Sequence, residues 1–170
     1  MSSGSKAGTT SDRHAAVGGG LMRKPDKRVF LEEEQCIRVL RDAANDVIHR
    51  FGDQVDVVLE SEEHHFYTVT PHNPAACTVS FCFDQWLDVF PAGGRWELDW
   101  TAEGVAMFKR MLDSVAAGRV VEYAAPGRSR VLITLDDGET VSSTMARSLL
   151  GNFDRLPRDP TSRFEPWVRP

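Results

Sequence analysis

The sequence lacks any hydrophobic run approaching the roughly 18 residues that a membrane span requires. Its start, Met1 to Gly20, is rich in Ser, Gly, Ala and Thr and has no apolar segment of the secretory type. Only three cysteines occur, Cys36, Cys77 and Cys82, and this odd, sparse set favours free buried thiols over a disulfide framework. We therefore expect a cytoplasmic protein with no membrane segment.

Signatures of catalysis and of cofactor binding are also missing. No Gly-x-Ser-x-Gly, no Ser-x-x-Lys and no phosphate-binding glycine loop is present. His64, His65, His72, Cys77 and Cys82 lie close together in sequence, but without the short CxxC or HxxxH spacing typical of zinc sites. The pattern predicts no metal and no cofactor, and indicates histidines at a hairpin tip beside packed thiols.

The composition is that of an ordinary globular protein, with 170 residues, of which 41% are hydrophobic and 26% charged. Residues 1–28 are poor in bulky apolar side chains, so we predict a disordered leader. Residues 29–150 have the size of one domain. Residues 151–170 predict an irregular tail, either a strap or a loose end, with four prolines: Pro157, Pro160, Pro166 and Pro170.

Charge is distributed unevenly along the chain. Residues 1–28 carry six Lys/Arg and two Asp/Glu, a net charge of +4. Residues 29–124 carry seven Lys/Arg and seventeen Asp/Glu, a net charge of −10. Residues 125–170 carry seven and six, a net charge of +1. An acidic body repels nucleic acid and favours a cationic protein partner, although such charge also serves solubility alone. The basic leader is the only segment that points towards nucleic acid, and it lacks interleaved aromatic residues.

Two segments have the three- and four-residue apolar spacing of amphipathic helices. The first covers about residues 31–51, has three glutamates in its first turn and is followed by Gly52. The second covers about residues 102–117, with Thr101 placed to cap its start and Gly118 placed to end it.

The remaining core segments alternate as strands do. Extended pieces over residues 55–60, 66–69, 77–83, 86–90 and 95–100 predict an antiparallel meander, and three further strands follow the second helix. Asp137-Gly138 predicts a two-residue type I′ hairpin between the last two strands. The predicted class is α+β, mainly an antiparallel meander sheet with two helices packed on one face.

Acidic residues cluster around a tryptophan in the meander. Glu97 and Asp99 share one strand face, and Asp84 and Asp88 are expected on a neighbouring strand beside Trp86. Three interpretations remain open: a solvated sheet face, a docking surface for a basic partner, or a like-charged pair of the glycosidase type. Trp86 fits a core position and a surface anchor equally well.

Three segments resemble parts of small α+β proteins of high-GC actinobacteria. They are residues 94–101, the helix over residues 107–118 with the strand after it, and the Asp136-Asp137-Gly138 hairpin. Some of those proteins are similar to immunity proteins that are paired with secreted toxins. The resemblance implies a protein that binds a toxin domain tightly and blocks its active site. It covers roughly residues 55–145 and carries over no functional residue.

The leading hypothesis is a non-enzymatic protein that binds a basic protein, most concretely an immunity protein or antitoxin. The alternative is a small hydrolase or ligand-binding domain that uses the carboxylate cluster or the region of Cys82 and the histidines. A third possibility is an adaptor that docks through residues 153–167. The expected contact set for the leading hypothesis is Asp84, Trp86, Asp88, Glu97 and Asp99, with Glu60, Glu62 and Glu63 at its rim.

Overall fold

The computed structural model describes residues 29–146 and 155–168, so the predicted leader, residues 1–28, lies outside the described residues. These residues form two α-helices and nine β-strands. The elements in chain order are α1 (Glu33–Phe51), β1 (Val55–Ser61), β2 (Phe66–Pro71), β3 (Val79–Phe83), β4 (Leu87–Pro91), β5 (Trp96–Leu98), α2 (Ala102–Ala116), β6 (Val120–Ala125), β7 (Arg128–Thr134), β8 (Thr140–Ala146) and β9 (Ser162–Arg163).

Both helices lie within two residues of the predicted bounds: α1 begins two residues later than predicted, at Glu33, and α2 ends one residue earlier, at Ala116. At the start of α1 the Gln35 side chain accepts a hydrogen bond from the backbone N–H of Glu32, and Gly52 after its last turn has a positive φ of 46°. Thr101 Oγ1 caps α2 by accepting from Gly104 N at 3.2 Å. These contacts satisfy backbone groups that a helix end leaves without partners.

The predicted meander is a five-stranded antiparallel sheet with the order β1-β2-β3-β4-β5. Its register pairs Phe81 with Val89, and both are buried against the helices and the second sheet. Because side chains alternate across a strand, Cys82 and its partner Asp88 lie on the opposite face. We call this opposite face the outer face of the five-stranded sheet.

The strands after α2 do not extend that sheet, as the expectation of a single sheet would require. They form a second, four-stranded antiparallel sheet with the order β8-β7-β6-β9. One edge of this sheet is β9, a strand absent from the sequence prediction, which pairs with the edge of β6 that β7 leaves open. Packing of both helices on one face is not confirmed, since α1 contacts β1 and β3, whereas α2 contacts β4, β5 and β7.

The β7–β8 hairpin is present, but its turn differs from the predicted type I′. Only Gly138 has a positive φ, of 86°, whereas Asp137 does not. Leu135 N donates to Glu139 O at 2.7 Å and Gly138 N donates to Leu135 O at 3.1 Å. The loop therefore contains three residues, with glycine in the left-handed position, which is the next most common hairpin connection.

Residues 155–168 form a strap rather than a loose end. Their strand β9 pairs with β6, Glu165 N donates to Ala75 O at 3.0 Å, and Trp167 N donates to Ala116 O at 2.9 Å. Trp167 is 1% exposed and belongs to the hydrophobic core. The end of the described chain therefore ties the second sheet and α2 to the segment that precedes β3.

Candidate protein-binding surface

Two hairpin turns lie at the same end of the five-stranded sheet, because β1–β2 and β3–β4 both reverse there. Phe83 N donates to His64 O at 2.9 Å and thereby joins the two turns. Glu62 and Glu63 in the first turn and Asp84 in the second are exposed. The structure thus brings together three of the acidic residues that the sequence analysis selected.

The last residues of the meander and the start of α1 reach the same end of the sheet. Trp100, only 5% exposed, donates from Nε1 to Asp84 O at 3.4 Å, and its own carbonyl accepts from Leu31 N at 2.8 Å. Asp99, which precedes Trp100, is half-buried. Trp100 therefore links the Asp84 turn, through its indole, to the segment just before α1, through its backbone carbonyl.

This connection adds acidic residues that the sequence pattern places only in the first turn of a helix. Glu32, Glu33 and Glu34 are exposed at the start of α1. The signal that could have found them is the run of three glutamates directly before an apolar-periodic segment, which predicts acids projecting from a helix end. We define the acidic end of the protein as Glu32, Glu33, Glu34, Glu62, Glu63, Asp84 and Asp99.

Trp86 lies within the Asp84 turn and is 40% exposed. Of the two interpretations left open for it, the surface position is the one the structure has. The other two meander tryptophans differ from it, since Trp100 is buried and Trp96 is half-buried against the core. Trp86 is therefore a large aromatic side chain that stands beside an unpaired carboxylate at the acidic end.

Asp88 does not belong to an accessible contact set. It is 2% exposed, and its carboxylate accepts from Arg95 Nε at 2.9 Å and from Arg95 Nη2 at 3.3 Å. The same Arg95 Nη2 lies 3.0 Å from Glu97 Oε1, so one guanidinium serves both acids. Strand alternation places Asp88 on the outer face correctly, but it does not predict that Arg95 folds back and covers it.

The other rim residue, Glu60, is exposed near the end of β1. The pairing of β1 with β2 shifts register between Leu59 and Ser61, so Glu60 sits at an irregularity of the edge strand. Val58 and Leu59 beside it are 48% and 42% exposed. Glu60 therefore continues the acidic end along the edge of the sheet.

The cysteine–histidine region does not have the features of an active thiol. Burial raises the pKa of Cys82 to about 11 and that of Cys77 to about 12. Both thiols are therefore protonated near neutral pH, whereas a nucleophilic cysteine needs a lowered pKa. Within residues 29–146 and 155–168, no group of three or more His, Cys, Asp or Glu side chains is placed to hold a metal ion.

The second sheet carries the opposite charge on its outer face. Register and alternation place Arg128 and Arg130 with Tyr123 on the face opposite the buried Val131 and Ile133. Arg158 and Arg163 are exposed on the strap beside it. The charge total along the chain does not reveal this separation, because Asp136 and Asp137 lie next to these arginines in sequence but pair with Arg110 of α2.

No protein-family model, no curated protein and no solved structure matches the chain. In the part of the chain that the structure describes, neither helix has the length and apolarity needed to cross a membrane.

Proposed function

We propose that the protein binds a cationic protein through its acidic end and that it acts as an immunity protein or antitoxin in the cytoplasm. The proposed contact residues are the acidic end together with Trp86, Glu60 and the exposed Glu97. Asp88 is left out of this set because it is only 2% exposed, whereas Glu97, which the same Arg95 contacts, is exposed.

The observation that carries the proposal is the lack of basic partners for the three acids of the two hairpin turns. Within the described residues, no Lys, Arg or His side chain forms an ion pair with Glu62, Glu63 or Asp84. Like charges that lie close together repel each other and destabilise a fold. A cationic partner would relieve this repulsion, which gives the acidic end a reason to bind one.

Trp86 supports the proposal because a partly exposed tryptophan is costly to leave in water. Tryptophan is enriched among the residues that contribute most to protein–protein affinity, and charged rims around such residues raise the association rate. Here Trp86 is 40% exposed and lies in the Asp84 turn rather than on the basic second sheet. Aromatic anchor and acidic rim thus share one surface.

The step from binding to inhibition rests on chemistry and on the resemblance stated above. Toxins that act on nucleic acid need basic active sites, and an acidic surface competes for the same positive field. Such a surface needs no catalytic group of its own, which agrees with the protonated thiols of Cys77 and Cys82. An inhibitor of this kind acts by occluding the basic site.

The first experiment is affinity capture from the native cytoplasm at low and moderate salt, with mass spectrometry of the retained proteins. One stoichiometric basic partner whose retention falls with salt is the expected result. The partner is then purified, and its association rate is measured against the double variant Glu62→Lys/Glu63→Lys. We expect association to slow by about tenfold at low salt and the difference to shrink as salt screens the charges.

The matched control is the double variant Glu139→Lys/Asp159→Lys, which changes the same number of exposed acids, one in the β7–β8 turn and one in the strap beside the second sheet. It alters net charge by the same amount but lies away from the acidic end, so its effect on association should be much smaller than that of Glu62→Lys/Glu63→Lys. Equal slowing by both would show that net charge alone controls binding, and the acidic end would lose its assigned role.

A further inference from the structure

A groove of about 310 Å³ opens on the outer face of the five-stranded sheet, next to the acidic end. Its apolar lining is formed by Phe66 of β2, Phe90 of β4 and the neutral thiol of Cys82, which is 7% exposed. The rings of Phe66 and Phe90 stack with their centroids 6.1 Å apart and both are half-buried. An aromatic pair thus stays partly open to solvent outside the core.

The walls of the groove carry two carboxylates and the Arg95 guanidinium, and the two carboxylates are not equivalent. Asp88 is occupied by Arg95 through two hydrogen bonds. Asp84 uses its backbone N–H and carbonyl in contacts with Trp86 and Trp100, and its exposed carboxylate has no ion-pair partner among the described residues. The groove therefore offers one unoccupied negative charge beside two aromatic rings.

Arg95 already shows which group this environment accepts. Its guanidinium carbon lies 5.7 Å from the centroid of the Phe90 ring while its nitrogens bind the Asp88 carboxylate. A planar guanidinium combines stacking on an aromatic face with bonding to a carboxylate, which a lysine ammonium does less well. Phe66 and Asp84 line the same groove, and the Asp84 carboxylate has no ion-pair partner among the described residues.

We propose that the groove receives an arginine side chain of the cationic partner, with its guanidinium against Phe66 and the Asp84 carboxylate. This inference rests on the proposed function, because it assigns a specific subsite to the same binding surface. Glu62 and Glu63 lie in sequence between Ser61 and His64, which both line the groove, so their negative charge adds to the attraction of a cation towards it.

The subsite is tested on the isolated protein with three blocked tripeptides in which arginine, lysine or glutamine stands between two glycines. Backbone amide shifts of the isotope-labelled protein are followed by NMR during each titration. We expect saturable shifts at Phe66, Phe83, Asp84 and Phe90 with the arginine peptide, weaker shifts with lysine and none with glutamine. Equal shifts with the glutamine peptide, or arginine-dependent shifts confined to other parts of the chain, would overturn the proposal.

Two variants sharpen this test while keeping the fold. Phe66→Leu retains apolar volume but removes the ring, and Asp84→Asn retains shape but removes the charge. Each variant should lower the affinity for the arginine peptide by about two- to fivefold, the range expected for one exposed cation–π or charge contact. Glu139→Gln, far from the groove, should leave the affinity unchanged, and an equal loss there would show that only long-range charge is measured.

The same variants separate failure of the subsite from failure of the proposed function. In one outcome, Glu62→Lys/Glu63→Lys slows association of the captured partner, while Phe66→Leu changes neither its association nor its dissociation. The binding role of the acidic end is then supported, and the arginine subsite is wrong. If Phe66→Leu speeds partner dissociation and leaves association unchanged, the subsite is supported. If neither variant has an effect, both proposals fail together.

Discussion

Trp167 Nε1 donates a hydrogen bond to the backbone carbonyl of Cys77 at 2.9 Å, across 90 positions of sequence. The indole also packs edge-to-face on Phe51, the last residue of α1, with ring centroids 5.1 Å apart. One side chain near the end of the chain therefore contacts the first helix and the segment before β3. This makes the strap part of the folding unit rather than an appendage.

The first prediction concerns that indole. Trp167→Phe keeps most of the buried ring but removes the Nε1–H donor, so the Cys77 carbonyl loses this hydrogen bond. We expect a loss of about 1–2 kcal/mol in the free energy of unfolding. Trp167→Ala also leaves a cavity and should cost about 3–5 kcal/mol. Urea unfolding measures both, and a cost below about 1 kcal/mol for alanine would show that the strap is not docked in solution.

This result bears on the adaptor hypothesis for residues 153–167. Deletion of the tail would remove a core residue, so a loss of partner binding after deletion would not identify a docking segment. Substitution of exposed strap residues such as Arg158 and Arg163 tests the hypothesis without that complication.

The second prediction compares two glycines with positive φ. Gly118 has φ +73°, and a Cβ there would lie 2.5 Å from backbone atoms of Glu165 and Pro166, whereas Gly138 has φ +86° and open space around it. Gly138→Ala should cost about 1 kcal/mol from backbone strain alone, and Gly118→Ala should cost at least about twice as much because the strap must also move. Thermal unfolding measures the difference, and equal costs would contradict the close approach of the strap to Gly118.

The local parts of this fold are predictable from the sequence, because short-range patterns determine them. The apolar spacing, together with Thr101 and Gly52, predicts the bounds of both helices to within two residues. The alternation of apolar and polar residues predicts the meander and which side chains share a face. Those signals act over one or two turns of helix or a few strand positions. For the same reason they identify Asp84, Glu62 and Glu63 as exposed acids.

The parts that the sequence does not reveal all depend on distant contacts. The second sheet is completed by the pairing of β9 with β6, and the burial of Asp88 follows from Arg95 reaching back across a hairpin. Neither contact leaves a periodic signal, since both join groups whose approach only the folded chain defines. Net charges summed along the sequence do not predict the charge of each surface for the same reason. They count Asp136 together with arginines from which the fold separates it.

The third prediction concerns the buried carboxylate of Asp88. Arg95→Met removes the guanidinium that binds Asp88 at 2.9 Å. The Asp88 carboxylate, which is 2% exposed, then has lost this cationic partner. We expect a loss of about 2–4 kcal/mol in the free energy of unfolding, below the cost in a fully buried pair because Arg95 is itself partly exposed. The double variant Arg95→Met/Asp88→Leu should recover much of this loss, since no buried charge remains. Chemical denaturation of both variants checks this, and no recovery would mean that Arg95 acts mainly through Glu97 or its stacking on Phe90.

The fourth prediction is a loss of stability at alkaline pH. Burial raises the pKa of the Cys77 thiol from its ordinary value of 9.0 to about 12 and that of Cys82 to about 11. Above about pH 9 the unfolded chain releases these protons while the folded protein keeps them. This contribution to stability is therefore complete below about pH 9 and is lost as the pH rises towards the folded values, with a slope of at most about 1.4 kcal/mol per pH unit for each thiol.

The variant Cys82→Ala isolates one of these thiols. Its free energy of unfolding should fall less steeply than that of the wild type between about pH 9 and about pH 11, whatever the cost of the substitution at neutral pH. Tyrosine and lysine titrate in the same range, but they do so in both proteins, so the difference in slope reports Cys82 alone. Parallel curves would show that the thiol titrates equally in the folded and unfolded chains. That result would restore the alternative in which Cys82 is an accessible, reactive group beside His64.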